Sequence, residues 1–315
     1  MALYILRRLG FLIITVLLAS ILIFMVTQWL PGDVARVLLG REAGEAAVAE
    51  LREELGLNDP LPMQYFNWLY DFVSGDWGRS FSTGQAIRPL VFSRLRNSLI
   101  LAGVTLVISV PVAVTLGIIA GLKNNTWIDN VISISALSVV GLPEFVTGLI
   151  LIQIFAFELN LLPATSSIAP GESFGTMLPA LILPALTATL VLLAYVSRLV
   201  RSGVIEEMKK PYVRVAILKG IPYRSIVFKH ILRNALLPTI TVLAISFGWL
   251  ISGLVVVENV FNYPGTGRLL VFAINRSDLP LIRAIVMVTV VGFSAANLTA
   301  DLLYGILNPR IGLGE

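Results

Sequence analysis

The sequence predicts an all-α polytopic membrane protein with six transmembrane helices, and three observations predict it. Of 315 residues, 57% are hydrophobic and only 13% are charged, against roughly 45–50% and about 25% in ordinary soluble domains. A water-soluble globule of this size would have too few charges to cover its surface, and a disordered chain is excluded by the same composition. Six segments are apolar over the roughly 20 residues that a helix needs to cross the hydrocarbon core. Finally, the basic residues collect on one side of the resulting arrangement, as they do in the cytoplasmic loops of membrane proteins.

The six segments are Leu9–Leu30, Ser98–Leu122, Val131–Phe157, Met177–Ser197, Leu236–Val257 and Ala284–Ala300. Only the third carries a charge, Glu144. The first has no small-residue cleavage site close behind a short core and runs on to Trp29, Leu30 and Pro31, so residues 1–30 read as an uncleaved signal anchor. Arg7 and Arg8 precede it, and placing them in the cytoplasm puts Lys123, the loop 198–233 and Arg310 there too. That loop holds nine basic residues and two acids, a net +7, more than the +4 of the whole chain. Both termini are therefore expected to be cytoplasmic, with residues 31–97 an extracytoplasmic segment and 98–315 the core that carries spans two to six.

Within 31–97, Ala43–Leu55 has helical composition, with Ala46, Ala47, Leu51 and Leu55 expected on one side and Glu50, Glu53 and Glu54 towards water. Asn58-Asp-Pro-Leu-Pro62 is a turn. The crowded aromatics Tyr65, Phe66, Trp68, Tyr70 and Phe72 are read as interface anchors. A piece of this size is marginal as an independent domain and is expected to pack on the outer ends of the spans. Between spans five and six, Gly267–Ile274 reads as a short interfacial helix.

The basic loop, 198–235, is the most informative segment. Pro211 opens a helix at its first position, and Gly220 closes it after Tyr212–Lys219. Six of those eight residues are apolar. So short a helix is not stable alone in water, so it must bury itself. It docks into a cleft of a soluble partner, or folds back on its own bundle, or meets anionic lipid.

Several chemistries are excluded. With no cysteine and one histidine, His230, there is no disulfide, thiolate metal site, cysteine nucleophile or histidine cluster. No glycine is followed by lysine, so the phosphate-cradling loop of P-loop ATPases is missing. No catalytic residue, metal or cofactor is expected, and transport ranks ahead of enzymatic chemistry. Glu144, in Gly141-Leu-Pro143-Glu144, is a buried carboxylate in mid-span and so a pathway candidate. The plainer alternative is a hydrated kink opened by Pro143 that simply hosts it. Ser246, Trp249 and Ser252 share a helical face of span five and either line a cavity or pack in the bundle. Gly117 and Gly121 have the spacing for close helix contact.

Several blocks together resemble the membrane permease subunits of bacterial ABC importers, in the oligopeptide/dipeptide/nickel group. These are the N-terminal span with Leu30-Pro-Gly-Asp33, Leu55–Gln85, Tyr212–Gly220 followed by Arg233-Asn-Ala-Leu-Leu-Pro238, Glu258–Leu270 and Asp301–Ile311. Tyr212–Gly220 is similar to the family's cytoplasmic EAA loop, although Arg214 and Val215 replace the first Glu and Ala, and Leu218 and Pro211 are particular to this chain. The resemblance implies a core permease domain and coupling to ATPase subunits through Tyr212, Val213, Arg214, Ala216, Ile217, Lys219 and Gly220. It further implies two ATPase subunits, a second and related permease chain, and a soluble extracytoplasmic binding protein. That protein would contact the outer face near Trp77, Arg79, Asn262 and Tyr263. The implied setting is the bilayer of a bacterial inner membrane, without a nucleic-acid partner. The implied cargo is a peptide, with nickel chelates, glutathione or oligosaccharides as alternatives within the family. An ion-coupled secondary transporter using Glu144 and Asp301 is the competing mechanism outside it.

Overall fold

The computed structural model describes residues 2–29, 34–39, 43–54, 56–167 and 174–307. Among them the chain is helical throughout, with one isolated bridge pairing Arg79 and Ala86. In chain order the helices are α1 (Ala2–Trp29), α2 (Val34–Leu39), α3 (Glu45–Glu54), α4 (Leu61–Ser74), α5 (Ile87–Leu122), α6 (Trp127–Val140) and α7 (Glu144–Ile152). A π-helical turn, Gln153–Glu158, extends α7. Then come α8 (Phe174–Met208), α9 (Pro211–Leu218) and α10 (Tyr223–Ile226), followed by a second π-helical turn, Val227–Ile231. The rest are α11 (Leu232–Ala235), α12 (Leu237–Gly253), α13 (Val255–Val260), α14 (Thr266–Asn275) and α15 (Leu279–Leu307).

Four helices are long and apolar enough to span a membrane, within α1, α5, α8 and α15, and two bent pairs raise the number to six if each pair is one span. The third expected span is therefore not one continuous helix: α6 and the limb that begins with α7 meet at 102°. The cause is local. Gly141 N still bonds Leu137 O at 3.1 Å, but Pro143 keeps Leu142 out of helical geometry and then opens the next limb as its N-cap. Glu144 thus sits in the first turn of α7, not in mid-helix as expected, where a carboxylate suits the positive end of the helix dipole. The fifth expected span is likewise interrupted, at Leu254 between α12 and α13.

By internal contacts the chain divides into residues 1–98 with 264–295, and residues 99–263 with 296–315. The core of the first unit is formed by Ile87, Val91, Leu269, Ala273, Leu281 and Ile285. Its aromatics, expected as interface anchors, also contact one another. Phe24, Tyr65, Trp68, Phe72, Trp77 and Phe92 form a continuous run of ring contacts inside the unit, with Phe72 stacked on Trp77 at 5.0 Å. Phe66, Tyr70 and Val73 on α4 are exposed, as are Leu61 and Met63 at its start and Phe92 at the end of the run of rings. In α3 the buried residue is Val48, while Ala46 and Ala47 are exposed, so its expected face is rotated. Asp278 is buried and fastens the loop before α5. It accepts bonds from Ser80 Oγ at 2.6 Å, Ser82 Oγ at 2.7 Å and Ser82 N at 3.0 Å, and it caps α15 through Leu281 N.

The second unit is built on close helix contact. A Cβ at Gly117 would stand 2.6 Å from the Ser197 carbonyl oxygen, and one at Gly121 2.7 Å from Val204 Cβ. The sequence spacing of these two glycines anticipated that approach of α5 to α8. At Gly203 a Cβ would lie 2.8 Å from the Ala235 carbonyl oxygen, so α8 meets α11 equally closely. Beside these seams Arg201 forks onto Asp129, with Nε to Oδ1 at 2.6 Å and Nη2 to Oδ2 at 2.8 Å.

Candidate functional site

The short helix of the basic loop forms where the sequence places it. Pro211 occupies the first position of α9. Gly220, at φ 69°, ends it, with Gly220 N bonded to Ile217 O and Ile221 N to Ala216 O. The helix then splits its side chains between two fates. Val213 and Ala216 are buried against Val204, Ile226, Val227, Ile231 and Ala235. Val215, Ile217 and Leu218 are 49%, 55% and 81% exposed, and Tyr223 and Phe228 continue the exposed apolar surface beyond Gly220. Arg214 and Lys219 are exposed beside them.

Of the coupling residues expected from sequence, Arg214, Ile217, Lys219 and Gly220 are therefore exposed, whereas Val213 and Ala216 hold the helix to its own chain. Val215 and Leu218 belong to the exposed face and were not among the expected contacts. Helical spacing carried the signal: 213 and 216 share one side of the turn, 214–215 and 217–218 the other. Folding back on the bundle is thus realised on one side of the helix, and the other side is left exposed.

A polar network ties α9 to α8. Tyr212 donates to Glu207 Oε2 at 2.5 Å, Lys210 pairs with Glu207 Oε1, and Asn234 donates to the Tyr212 hydroxyl at 3.4 Å. Burial, and then the bond to Glu207, push the Tyr212 phenol above its usual range. The bond to Glu207 also raises the Lys210 ammonium.

The remaining candidates do not assemble into one site. Glu144 is half-buried, and its Oε1 is buried with no hydrogen-bond partner among the described residues. Ser246 is buried and donates to Val242 O at 2.8 Å, so it is satisfied within α12. Trp249 is partly exposed, and the side chain of Ser252 lies outside the described residues. The Leu30–Asp33 motif and residues 308–311 lie outside them too. Arg79 is exposed and donates to Gly84 O. Trp77 is half-buried, its indole donating to Phe72 O at 2.9 Å. Asn262, at φ 57°, is half-buried. Tyr263 is wholly buried in a core cluster and offers no surface for contact.

Comparison with known proteins covers the whole chain. Residues 113–313 match the family described as binding-protein-dependent transport system inner membrane component. Residues 1–116 match the N-terminal membrane component of the same systems. A protein of Sinorhizobium fredii described as a probable peptide ABC transporter permease is 36% identical over 99% of either chain. The glutathione transport system permease proteins of Escherichia coli and Salmonella typhi are each 35% identical over 98% of either chain. The family is one of permease subunits, which are not themselves catalytic. The chain belongs to the binding-protein-dependent inner membrane transport components, as a multi-pass ABC importer permease of the inner membrane.

Proposed function

We propose that the chain forms half of a peptide translocation path, driven by separate ATPase subunits that grip α9. The observation that carries this reading is the apolar face of Val215, Ile217 and Leu218, set between Arg214 and Lys219 on a helix whose other side is anchored. An exposed leucine or isoleucine contributes about 1.5–3 kcal/mol when fully buried, so such a face fits helix-in-groove docking. The positive loop places it in the cytoplasm, where ATP is hydrolysed. The second permease chain completes the path, and an extracytoplasmic binding protein delivers cargo on the side of residues 31–97 and 258–283. Trp77, Arg79 and Asn262 are then the candidate contacts for that protein. Peptide cargo is favoured because relatives of nearly full length are described as peptide and glutathione permeases.

The test is Leu218→Glu. It removes an exposed apolar contact without disturbing the buried side of α9. The expected result is loss of ATPase copurification, or at least a tenfold weaker association, with an unchanged thermal midpoint for the chain itself. ATPase binding and ATP-driven uptake at wild-type levels would refute the reading.

A further inference from the structure

Arg283 lies near the start of α15 and is held in an unusual way. Its Nε donates to Thr27 Oγ1 at 2.8 Å. Its guanidinium lies over the ring of Phe24 at 4.7 Å and of Trp68 at 5.8 Å. Among the described residues it enters no ion pair. Ring faces and one hydroxyl orient the cation, but they use one of its five N–H donors. Arg283 is half-buried, and an arginine withdrawn from water seldom lacks a counter-charge.

Arg283 lines a cleft of about 440 Å³ in the first unit. The volume is of the size that small-molecule sites have, roughly 300–1,000 Å³. Trp68 and Trp77 form part of its wall, and three exposed carboxylates, Asp59, Asp71 and Asp76, stand on it as well. Arg79, the other cation there, already donates to Gly84 O. The cleft thus offers a planar fork suited to a carboxylate and acids suited to an ammonium group. An isolated anion, such as inorganic phosphate, would meet the three aspartates unfavourably.

We propose that this cleft binds a short zwitterionic peptide, with Arg283 taking its free α-carboxylate and the aspartates supplying the counter-charge for its ammonium group. The proposal rests on the reading of the chain as a peptide permease and adds a substrate contact on the permease itself, apart from any binding protein.

The full chain in phosphatidylcholine nanodiscs, with and without copurified partner subunits, would be titrated with dialanine, dialanine amide and N-acetyl-dialanine in the absence of nucleotide. Tryptophan fluorescence and saturation-transfer NMR report binding. Dialanine should bind about tenfold or more tightly than its amide. Arg283→Gln should abolish that difference, Arg283→Lys should keep part of it, and Asp71→Asn with Asp76→Asn should narrow the preference over the N-acetyl form. Unliganded thermal midpoints and the lysine variant separate lost binding from lost folding. Equal binding of dialanine and its amide to the wild type, a preference that survives Arg283→Gln, or binding of inorganic phosphate in place of dialanine would each overturn the proposal. Failure of the ATPase to copurify would instead strike at the coupling through α9 and leave the titration of the cleft readable.

Discussion

Asp129 is 1% exposed, and both its oxygens are engaged, by Arg201 and by Asn125 N at 3.0 Å. Removing one partner of such a pair leaves a buried charge uncompensated, at a cost of about 3–5 kcal/mol. Asp129→Asn should therefore lower the unfolding midpoint in detergent clearly, and Asp129→Leu with Arg201→Leu should cost less than either single change. Thermal denaturation measures both, and an unshifted midpoint for Asp129→Asn would contradict the argument. Tyr212 makes a prediction in pH. Its pKa is raised in the folded chain, so the folded form holds the phenolic proton more tightly than the unfolded one. That stabilisation is complete below the unfolded value of about 10 and is lost as pH rises through the elevated one. Lys210, also raised, acts in the same direction. Tyr212→Phe should flatten the alkaline fall in stability, measured as the unfolding midpoint against pH. The Asp129–Arg201 pair was not legible in the sequence, because the two residues are 72 positions apart and nothing local pairs them.

At the scale of elements, the two seams of α8 make the sharper claim. Gly117 and Gly203 each face a backbone carbonyl at a distance that no side chain tolerates. Gly117→Leu should separate α5 from α8, and the expected outcome is loss of folded protein by size-exclusion chromatography, while the same change at Gly103, which faces open space, is tolerated. The Gly117/Gly121 spacing announced its seam because both partners of the motif lie on one helix. Gly203 announced nothing, since its neighbour Ala235 comes from α11. The break between α6 and α7 was half legible. Pro143 marked the place, but the 102° angle depends on what each limb packs against.

At the scale of the whole molecule, the testable claim is orientation. The chain has no cysteine, so single cysteines report sidedness without background. Leu218→Cys should react with an impermeant maleimide only when the cytoplasmic side is opened, and Tyr70→Cys from the outside of intact cells. The reverse pattern would invert the coupling scheme.

Length, apolar composition and the placement of nine basic residues in one loop determined by themselves that this chain is a multi-pass helical membrane protein with a short helix between Pro211 and Gly220. These are properties of contiguous residues, and the bilayer acts on contiguous residues. Only the tertiary structure decided which side of that helix is free, that Tyr263 is buried rather than exposed, and that Arg283 meets aromatic rings instead of a carboxylate. Each of those depends on residues distant in sequence arriving at one place, and hydrophobic pattern alone does not encode which neighbours will be there.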